Sequence, residues 1–322
     1  MTIERLTDAA AVAAVLADAE TTSEGTLATL RSVAADLLSG NSDLIIGVNG
    51  SIARREMTTG SDVDLFVLTL SGNIEAAKKV QAEYRSRLIK QNIKMPASGG
   101  VFETPLCTME LTETIGGEGD TNIYITRRML YLLEGEWVAN KDGFDRLRAD
   151  LIARYVAEDL DEQKIVRFFL NDVIRYWRTI CVDFEHKTAD ETKPRAIRLV
   201  KLRLSRMLLY VAGIAAARQT VGLNAATKRE KLARLLALPP LKRLEEIYGL
   251  GRIANIQAIY ATFLWALNCE YIRSKLELPG TKGLSTQEFG ELSSVARDFK
   301  VELFALLGIN TSNDPLTEAL LL

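Results

Sequence analysis

The chain has 322 residues, of which 48% are hydrophobic and 25% charged, and its formal net charge is −2. These values are typical of a globular protein with an ample buried core, and the length allows two domains. The near-neutral charge excludes a global basic field for nucleic acid, so a polyanion would need a local patch of positive charge.

The cysteine and histidine content excludes further classes of protein. Cys107, Cys181 and Cys269 are too widely spaced for a zinc motif or a disulfide framework, so a reducing cytoplasm is the expected location. The single histidine, His186, excludes histidine-based triads and multi-histidine metal sites. Residues 1–20 lack the basic start of a secretory signal, and no apolar run has membrane-spanning length, so no membrane partner is expected.

Hydrophobic periodicity predicts both helices and strands in the first half of the chain. In chain order these are helices at 8–20 and 26–39, strands at 44–48 and 62–70, a helix at 74–91, one or two strands within 101–112, and a helix from Asp120 or Thr121 to about Glu134. From about residue 143 only helices are predicted, at about 143–157, 161–185, 195–217, 225–237, 240–248, 252–276 and 285–307, the last with a capping box of Ser285 and Glu288. This order predicts an α+β fold, in which a small sheet domain over residues 1–150 is followed by an all-helical domain over residues 151–322 that completes a cleft.

The most informative segment lies between residues 44 and 68. An apolar strand runs into a Gly50-Ser51 turn, and a second apolar strand opens with Asp62 and Asp64. Alternation along a strand places both carboxylates on one face, where they repel each other unless a cation lies between them. Oxygen ligands at this spacing suit Mg²⁺ (or Mn²⁺), and the turn offers N–H groups and a hydroxyl to a triphosphate. The alternative is a solvated strand start, because Ser-Asp pairs also form turns and helix caps.

The motif Gly50-Ser51-(x)₂-Arg54-(x)₆-Ser61-Asp62-x-Asp64 resembles the signature of the DNA polymerase β-like nucleotidyltransferase superfamily. Its spelling is similar to that of aminoglycoside nucleotidyltransferases, minimal nucleotidyltransferases and PII uridylyltransferases. The strong similarity covers residues 44–68, and a weaker similarity to uridylyltransferases extends over residues 127–140. The resemblance implies a mixed, partly antiparallel sheet with a helical partner, a metal ion held by the two aspartates, and a nucleoside triphosphate (NTP) held near the turn. The candidate nucleotide-binding residues of this motif are Gly50, Ser51, Arg54 and Ser61.

The resemblance also implies a third carboxylate from a later strand, which would ligate the metal ion and accept the proton of the attacking hydroxyl. Glu103 and Glu110 both stand among apolar residues in the predicted strands, and Glu103 is favoured because it comes first after the helix. Either residue could instead be an exposed edge position. Asp120 is a further candidate, although its place before a helix is more simply that of a cap.

Arg54 could bind phosphate through two N–H groups, in keeping with the position of an arginine in the resembling family. It could equally pair with Glu56 or with another surface acid. Arg55 is the weaker candidate of the two arginines.

The helical half carries its own basic segment, since six of the residues 193–206 are lysine or arginine. Helical spacing places Arg198, Lys201 and Ser205 on one stripe, which suits a triphosphate or an RNA backbone. The same helix carries core leucines, so the alternative is that its bases are simply solvated. On the preceding helix, Tyr176 or Trp177 is a candidate for stacking on a nucleobase.

Together these features predict a Mg²⁺-dependent nucleotidyltransferase that moves a nucleoside monophosphate from an NTP to an acceptor hydroxyl or phosphate. The regional similarity to uridylyltransferases favours a protein as the acceptor. An RNA end and a small molecule are the alternative acceptors. A nucleotide-binding sensor or antitoxin-like partner without catalysis is the alternative from a different class.

Overall fold

A computed structural model describes residues 3–96 and 100–308 of the chain. In this part of the chain a small four-stranded sheet is surrounded by helices. The strands are β1 (Leu44–Asn49), β2 (Asp64–Thr69), β3 (Leu106–Cys107) and β4 (Glu136–Ala139). Their order is β3-β2-β1-β4, with β1 antiparallel to both of its neighbours and β2 parallel to β3, which confirms the expected small mixed sheet.

The helices before and around the sheet are α1 (Ala9–Leu37), α2 (Gly50–Ala53), α3 (Ile74–Lys90), α4 (Thr108–Thr112), α5 (Asn122–Glu134) and α6 (Lys141–Tyr155). The later helices are α7 (Arg167–Thr188), α8 (Arg195–Lys201), α9 (Met207–Arg218), α10 (Ala225–Leu236), α11 (Pro240–Tyr248), α12 (Leu250–Asn268), α13 (Glu270–Leu276) and α14 (Gln287–Leu306). A π-helical turn (Leu202–Arg206) joins α8 to α9, and a 3₁₀ turn (Lys282–Ser285) precedes α14. No helix in the described ranges is both long enough and apolar enough to cross a bilayer.

The two faces of the sheet are covered by different helices. Ile46 and Val67 face a core built with α1 and α3, where the Tyr84 hydroxyl donates a 2.8 Å hydrogen bond to the Leu30 carbonyl. Ile45 and Phe66 face the other way, into a core cluster that continues through the later helices to α14. The sheet therefore shares one continuous core with the helical half, and the division of the chain near residue 150 stays a prediction.

The first two predicted helices are in fact one helix, α1. The polar segment in its middle predicted a break, but hydroxyls there satisfy the helix backbone: Ser23 donates to the Ala19 carbonyl at 2.7 Å and Thr26 to the Thr22 carbonyl at 2.9 Å. Ser23 is fully buried and also accepts a hydrogen bond from the Met57 N–H. Tertiary packing along the helix therefore outweighs the weak local propensity of this segment.

The segment 101–112 was predicted as strand, and most of it is not. Only Leu106–Cys107 pairs in the sheet, and α4 follows directly. The Glu110 carboxylate accepts a 3.0 Å hydrogen bond from the Cys107 N–H, so it caps α4. Local capping of a short helix thus replaces the predicted second strand.

Other boundaries also differ from the predictions. Strand β4 was missed because four residues are too few to show a period of two. The predicted helix 252–276 is interrupted at Cys269, and the predicted helix 161–185 begins at Arg167. The N-cap of α14 is Thr286 rather than Ser285, and the Thr286 hydroxyl accepts a hydrogen bond from the Phe289 N–H.

Candidate active site

Pairing of β1 with β2 brings the Gly50-Ser51 turn beside Asp64. Asn49, the last residue of β1, lies opposite Asp64, the first residue of β2, and α2 begins at Gly50. Gly50 has a φ of +77°, and a Cβ at this position would lie 2.7 Å from the Asp64 Oδ2 atom. The turn and the carboxylate are therefore in direct contact, as the motif predicts.

Asp62 lies just before β2 rather than within it. The strand predicted over 62–70 begins two residues later than expected, at Asp64. No described residue donates a hydrogen bond to Asp62 or Asp64 or forms an ion pair with them. Asp64 is solvent-accessible, yet protein atoms surround it on the face of the sheet that carries Phe66. Partial burial, followed by the charges of Asp62 and Glu134, raises the pKa of Asp64 to about 6. A bound cation would relieve this repulsion.

The loop that carries Asp62 is fastened to the helical half. Asn268, at the end of α12, accepts a 3.0 Å hydrogen bond from the Thr59 N–H, and Arg273 in α13 donates at 2.8 Å to the Gly60 carbonyl. The Ser61 hydroxyl accepts from the Thr58 N–H at 3.0 Å, so this predicted nucleotide-binding residue closes the loop. Helices about 200 residues away in sequence therefore set the position of Asp62.

A cavity of about 640 Å³ opens in front of Asp64, between β2, α5, α7 and α8. Of the predicted site residues, Asp64, Glu103, Arg198 and Lys201 line it, whereas Gly50, Ser51, Arg54, Ser61 and Asp62 do not. One part of the wall is apolar and includes Leu65, Phe102, Leu130, Ile180, Phe184 and Leu202. The volume and the mixture of apolar and charged walls are typical of small-ligand sites.

The basic stripe on the helical wall differs from its prediction by one member. The π-helical turn after Lys201 adds a residue to the turn, which directs Ser205 into the core, where its hydroxyl accepts a 3.2 Å hydrogen bond from Tyr260. Arg206 takes its place and lines the cavity. Burial, with a smaller contribution from Arg273, lowers the pKa of Lys201 to about 8. Helical periodicity could not reveal the exchange of Ser205 for Arg206 on this face, because π-turns leave no periodic signal in a sequence.

Arg54 is not placed as a phosphate ligand, contrary to its prediction. Its buried guanidinium pairs with Glu56 at 2.8 Å and with Glu134, which is the salt-bridge alternative. Arg55 pairs with Glu24 and Glu136.

Glu134, which sequence reasoning missed, connects the parts of the site. Its carboxylate accepts hydrogen bonds from the Gly50 N–H at 3.2 Å, from Arg54, and from Arg206 at 3.0 Å. Burial alone would raise the pKa of Glu134, but Arg54, Arg206 and the Gly50 N–H hold it below its usual value. The signal in the sequence was an acid that directly follows the apolar residues 129–133 at the end of α5, and nothing there indicated its partners.

The predicted third carboxylate does not join the two aspartates. Glu103 lines the cavity from a turn, not from a strand. Asp120 is buried between Arg128 and Arg175 and does not cap α5. Within residues 3–96 and 100–308, no group of three or more His, Cys, Asp or Glu side chains is arranged to hold a metal ion.

The two aromatic candidates on α7 have different surroundings. Tyr176 is fully buried and lines the cavity, whereas Trp177 stacks on Tyr210 at a ring distance of 5.1 Å.

No protein-family model matches the chain, and no curated protein matches it either.

Proposed function

We propose that this protein is a Mg²⁺-dependent nucleotidyltransferase, which transfers a nucleoside monophosphate from an NTP to an acceptor hydroxyl or phosphate. One observation carries the proposal. Asp64 lies beside the Gly50 turn at a cavity whose helical wall presents Lys201 and Arg198, the charge of Asp62 acts on it, and neither carboxylate has a partner among the described residues.

The donor set of this site fits a hard divalent cation. Carboxylate oxygens are preferred ligands of Mg²⁺, and two carboxylates close together without arginine or lysine partners are costly unless a cation joins them. Asp62 and Asp64 would hold the ion, and NTP phosphates and water would supply further ligands. When bound, such an ion neutralises charge on the phosphates during transfer.

The chain's own residues position the phosphates. The Gly50 N–H is already bound by Glu134, so the Ser51 hydroxyl, which donates to no described residue, is the proposed contact from the turn. Lys201, Arg198 and Arg206 face the cavity and would attract and hold the triphosphate. Most of the catalytic effect would therefore come from orientation and electrostatics.

The transfer step is an in-line displacement. The acceptor oxygen forms a bond to the α-phosphorus, the bond from that phosphorus to the bridging oxygen breaks, and pyrophosphate leaves. Glu103, in the same cavity, is proposed to accept the proton of an acceptor hydroxyl. A protein side chain remains the favoured acceptor, on the strength of the similarity to uridylyltransferases in residues 127–140.

The experiment supplies the protein with each α-³²P-labelled NTP, Mg²⁺ and cell lysate, and measures pyrophosphate release and the destination of the label. We expect release with at least one NTP, and a decrease of at least about 100-fold in Asp64→Asn with the fold intact. Asp142→Asn, at an exposed position on α6, is the control and should retain activity. Nucleotide binding without pyrophosphate release would instead support the sensor alternative.

A further inference from the structure

Asn49 is buried in the wall of the cavity, yet its side chain has no hydrogen-bond partner among the described residues. Only 4% of the residue is exposed, and its Oδ1 atom is buried. The Nδ2 group makes no hydrogen bond with any described residue either. A side-chain amide can form up to four hydrogen bonds, and an amide that is buried and unpaired is costly. We therefore expect a ligand group to bind this side chain.

The place of Asn49 in the sheet puts its side chain next to the reaction centre. It lies directly opposite Asp64 in the antiparallel pair, and cross-strand neighbours lie about 5 Å apart at their Cβ atoms. It also shares the sheet face of Gly47 and Phe66, which is the face toward the cavity.

Tyr176 presents a second buried polar group in the wall of the same cavity. The residue is fully buried, and its hydroxyl makes no hydrogen bond of good geometry with any described residue. Burial raises the pKa of Tyr176, and the Arg206 guanidinium, which lies close to the hydroxyl, partly offsets this rise. Asn49 and Tyr176 therefore both line the cavity in which Glu134 and Arg206 also lie.

The chemistry of these groups favours a hydroxyl as their ligand. A phosphate oxygen could accept from the Asn49 N–H but would leave the amide oxygen unpaired and repelled. A hydroxyl both donates and accepts, so it satisfies an amide and a phenol together. In an NTP the hydroxyl groups belong to the ribose, which lies between the phosphates and the base.

We propose that Asn49 and Tyr176 bind a ribose hydroxyl of the nucleotide, so that the site selects ribonucleotides over deoxyribonucleotides. This inference rests on the proposed function. A site built to hydrogen-bond a hydroxyl rejects the analogue that lacks it, because its own polar groups then stay buried and unpaired.

The test measures binding without an acceptor present. Isothermal titration with Mg²⁺ first compares α,β-methylene analogues of the four ribonucleoside triphosphates. The base that binds most tightly is then compared as the ribo, 2′-deoxy and 3′-deoxy compounds. The wild type should bind the ribo compound at least about tenfold more tightly than one of the deoxy compounds.

Two variants remove the unpaired groups with little change of volume. Asn49→Leu should bind the ribo and deoxy compounds about equally, with the affinity that the wild type has for the deoxy compound. Tyr176→Phe should also reduce the ratio of ribo to deoxy affinity. Asn49→Leu should melt at or above the wild-type temperature without ligand, because it loses an unpaired buried polar group. Tyr84→Phe, which loses the satisfied hydroxyl on the other face of the sheet, is the control and should keep the full ribo-to-deoxy ratio.

A wild type that binds ribo and deoxy compounds equally would overturn the inference, and so would an unchanged ratio in both variants. The latter result would indicate that these groups bind an acceptor hydroxyl or none. If Asn49→Leu fails to fold, Tyr176→Phe alone decides. If no nucleotide binds to the wild type, the proposed function itself fails, which is a distinguishable result.

Discussion

The Oδ2 atom of Asp64 occupies the space beside Gly50 in which any other residue would carry its Cβ, 2.7 Å from that position. Gly50 also has a φ of +77°, a conformation that side chains of L-residues rarely adopt. Two independent constraints therefore require glycine here, one from the backbone of the turn and one from the carboxylate proposed to hold the metal ion.

Gly50→Ala should separate these two constraints. The backbone strain should lower the free energy of unfolding by about 1–2 kcal/mol. Displacement of Asp64 should reduce Mg²⁺-dependent turnover by about 100-fold, because small misplacements of reacting groups are costly. Chemical denaturation and initial rates would be measured on the same preparation.

Gly40→Ala is the matched control, since Gly40 has a φ of +80° but no atom within 4 Å of its Cβ position. It should lose similar stability and keep full turnover. Equal loss of activity in the two variants would show that strain alone, not contact with Asp64, governs the result.

The relation between Gly50 and Asp64 could be predicted from the sequence, because both lie in a short motif between two apolar strands. The same holds for the mixed sheet and for most helices, whose periodicity is local. Glu134 and Asn268 could not be predicted, because their roles depend on partners that lie 72 to 209 residues away in the sequence. The prediction that Ser205 faces the site was wrong for a different reason. A single π-turn rotates the following residues around the helix axis, and the sequence gives no sign of it.

The pKa of Asp64 predicts how stability depends on pH. Because its pKa of about 6 lies above the usual value of 3.8, the folded protein binds more protons than the unfolded chain between these values. Stability should therefore fall as pH rises from about 4 to 6. Asp64→Asn has no carboxyl group to ionise at this position, so its stability should not fall in this way. It should melt a few degrees above the wild type at pH 7.5, with a smaller difference at pH 4.

Mg²⁺ should reverse this effect in the wild type at pH 7.5 by binding the ionised carboxylates, and should not stabilise Asp64→Asn. Differential scanning calorimetry at several pH values, with and without Mg²⁺, measures both effects. A wild type that is more stable than Asp64→Asn at pH 7.5 without metal would contradict the assigned environment of Asp64.

Arg128 should carry much more stability than Arg175, although both reach the same two carboxylates. Arg128 is completely buried and lies 2.9 Å from both Asp120 and Asp172, whereas the side chain of Arg175 is 42% exposed. Arg128→Met leaves two buried carboxylates without their main partner and should cost about 3–5 kcal/mol. Arg175→Met should cost about 1 kcal/mol or less. Urea denaturation of both variants gives the comparison, and equal losses would refute the central role of Arg128.

Arg273 should affect metal-dependent activity although it lies on α13, far along the chain from the aspartates. Its guanidinium donates to the Gly60 carbonyl at 2.8 Å and covers Gly60 so closely that a Cβ there would lie 2.0 Å from the Arg273 Cζ atom. Arg273→Met should free the loop that carries Asp62. We expect about tenfold lower turnover at limiting Mg²⁺, with recovery at high Mg²⁺, since ordering of the loop would then be driven by the ion.

Arg87→Met is the control for removal of an arginine, because Arg87 lies on the exposed side of α3 and, in the described part of the chain, forms an ion pair with Glu83 alone. It should leave the Mg²⁺ dependence unchanged. The decisive measurement is initial rate against Mg²⁺ concentration for the two variants and the wild type. A lower maximal rate in Arg273→Met that high Mg²⁺ does not restore would mean that Arg273 acts on the nucleotide through Lys201, whose pKa it helps to lower, rather than through the position of Asp62.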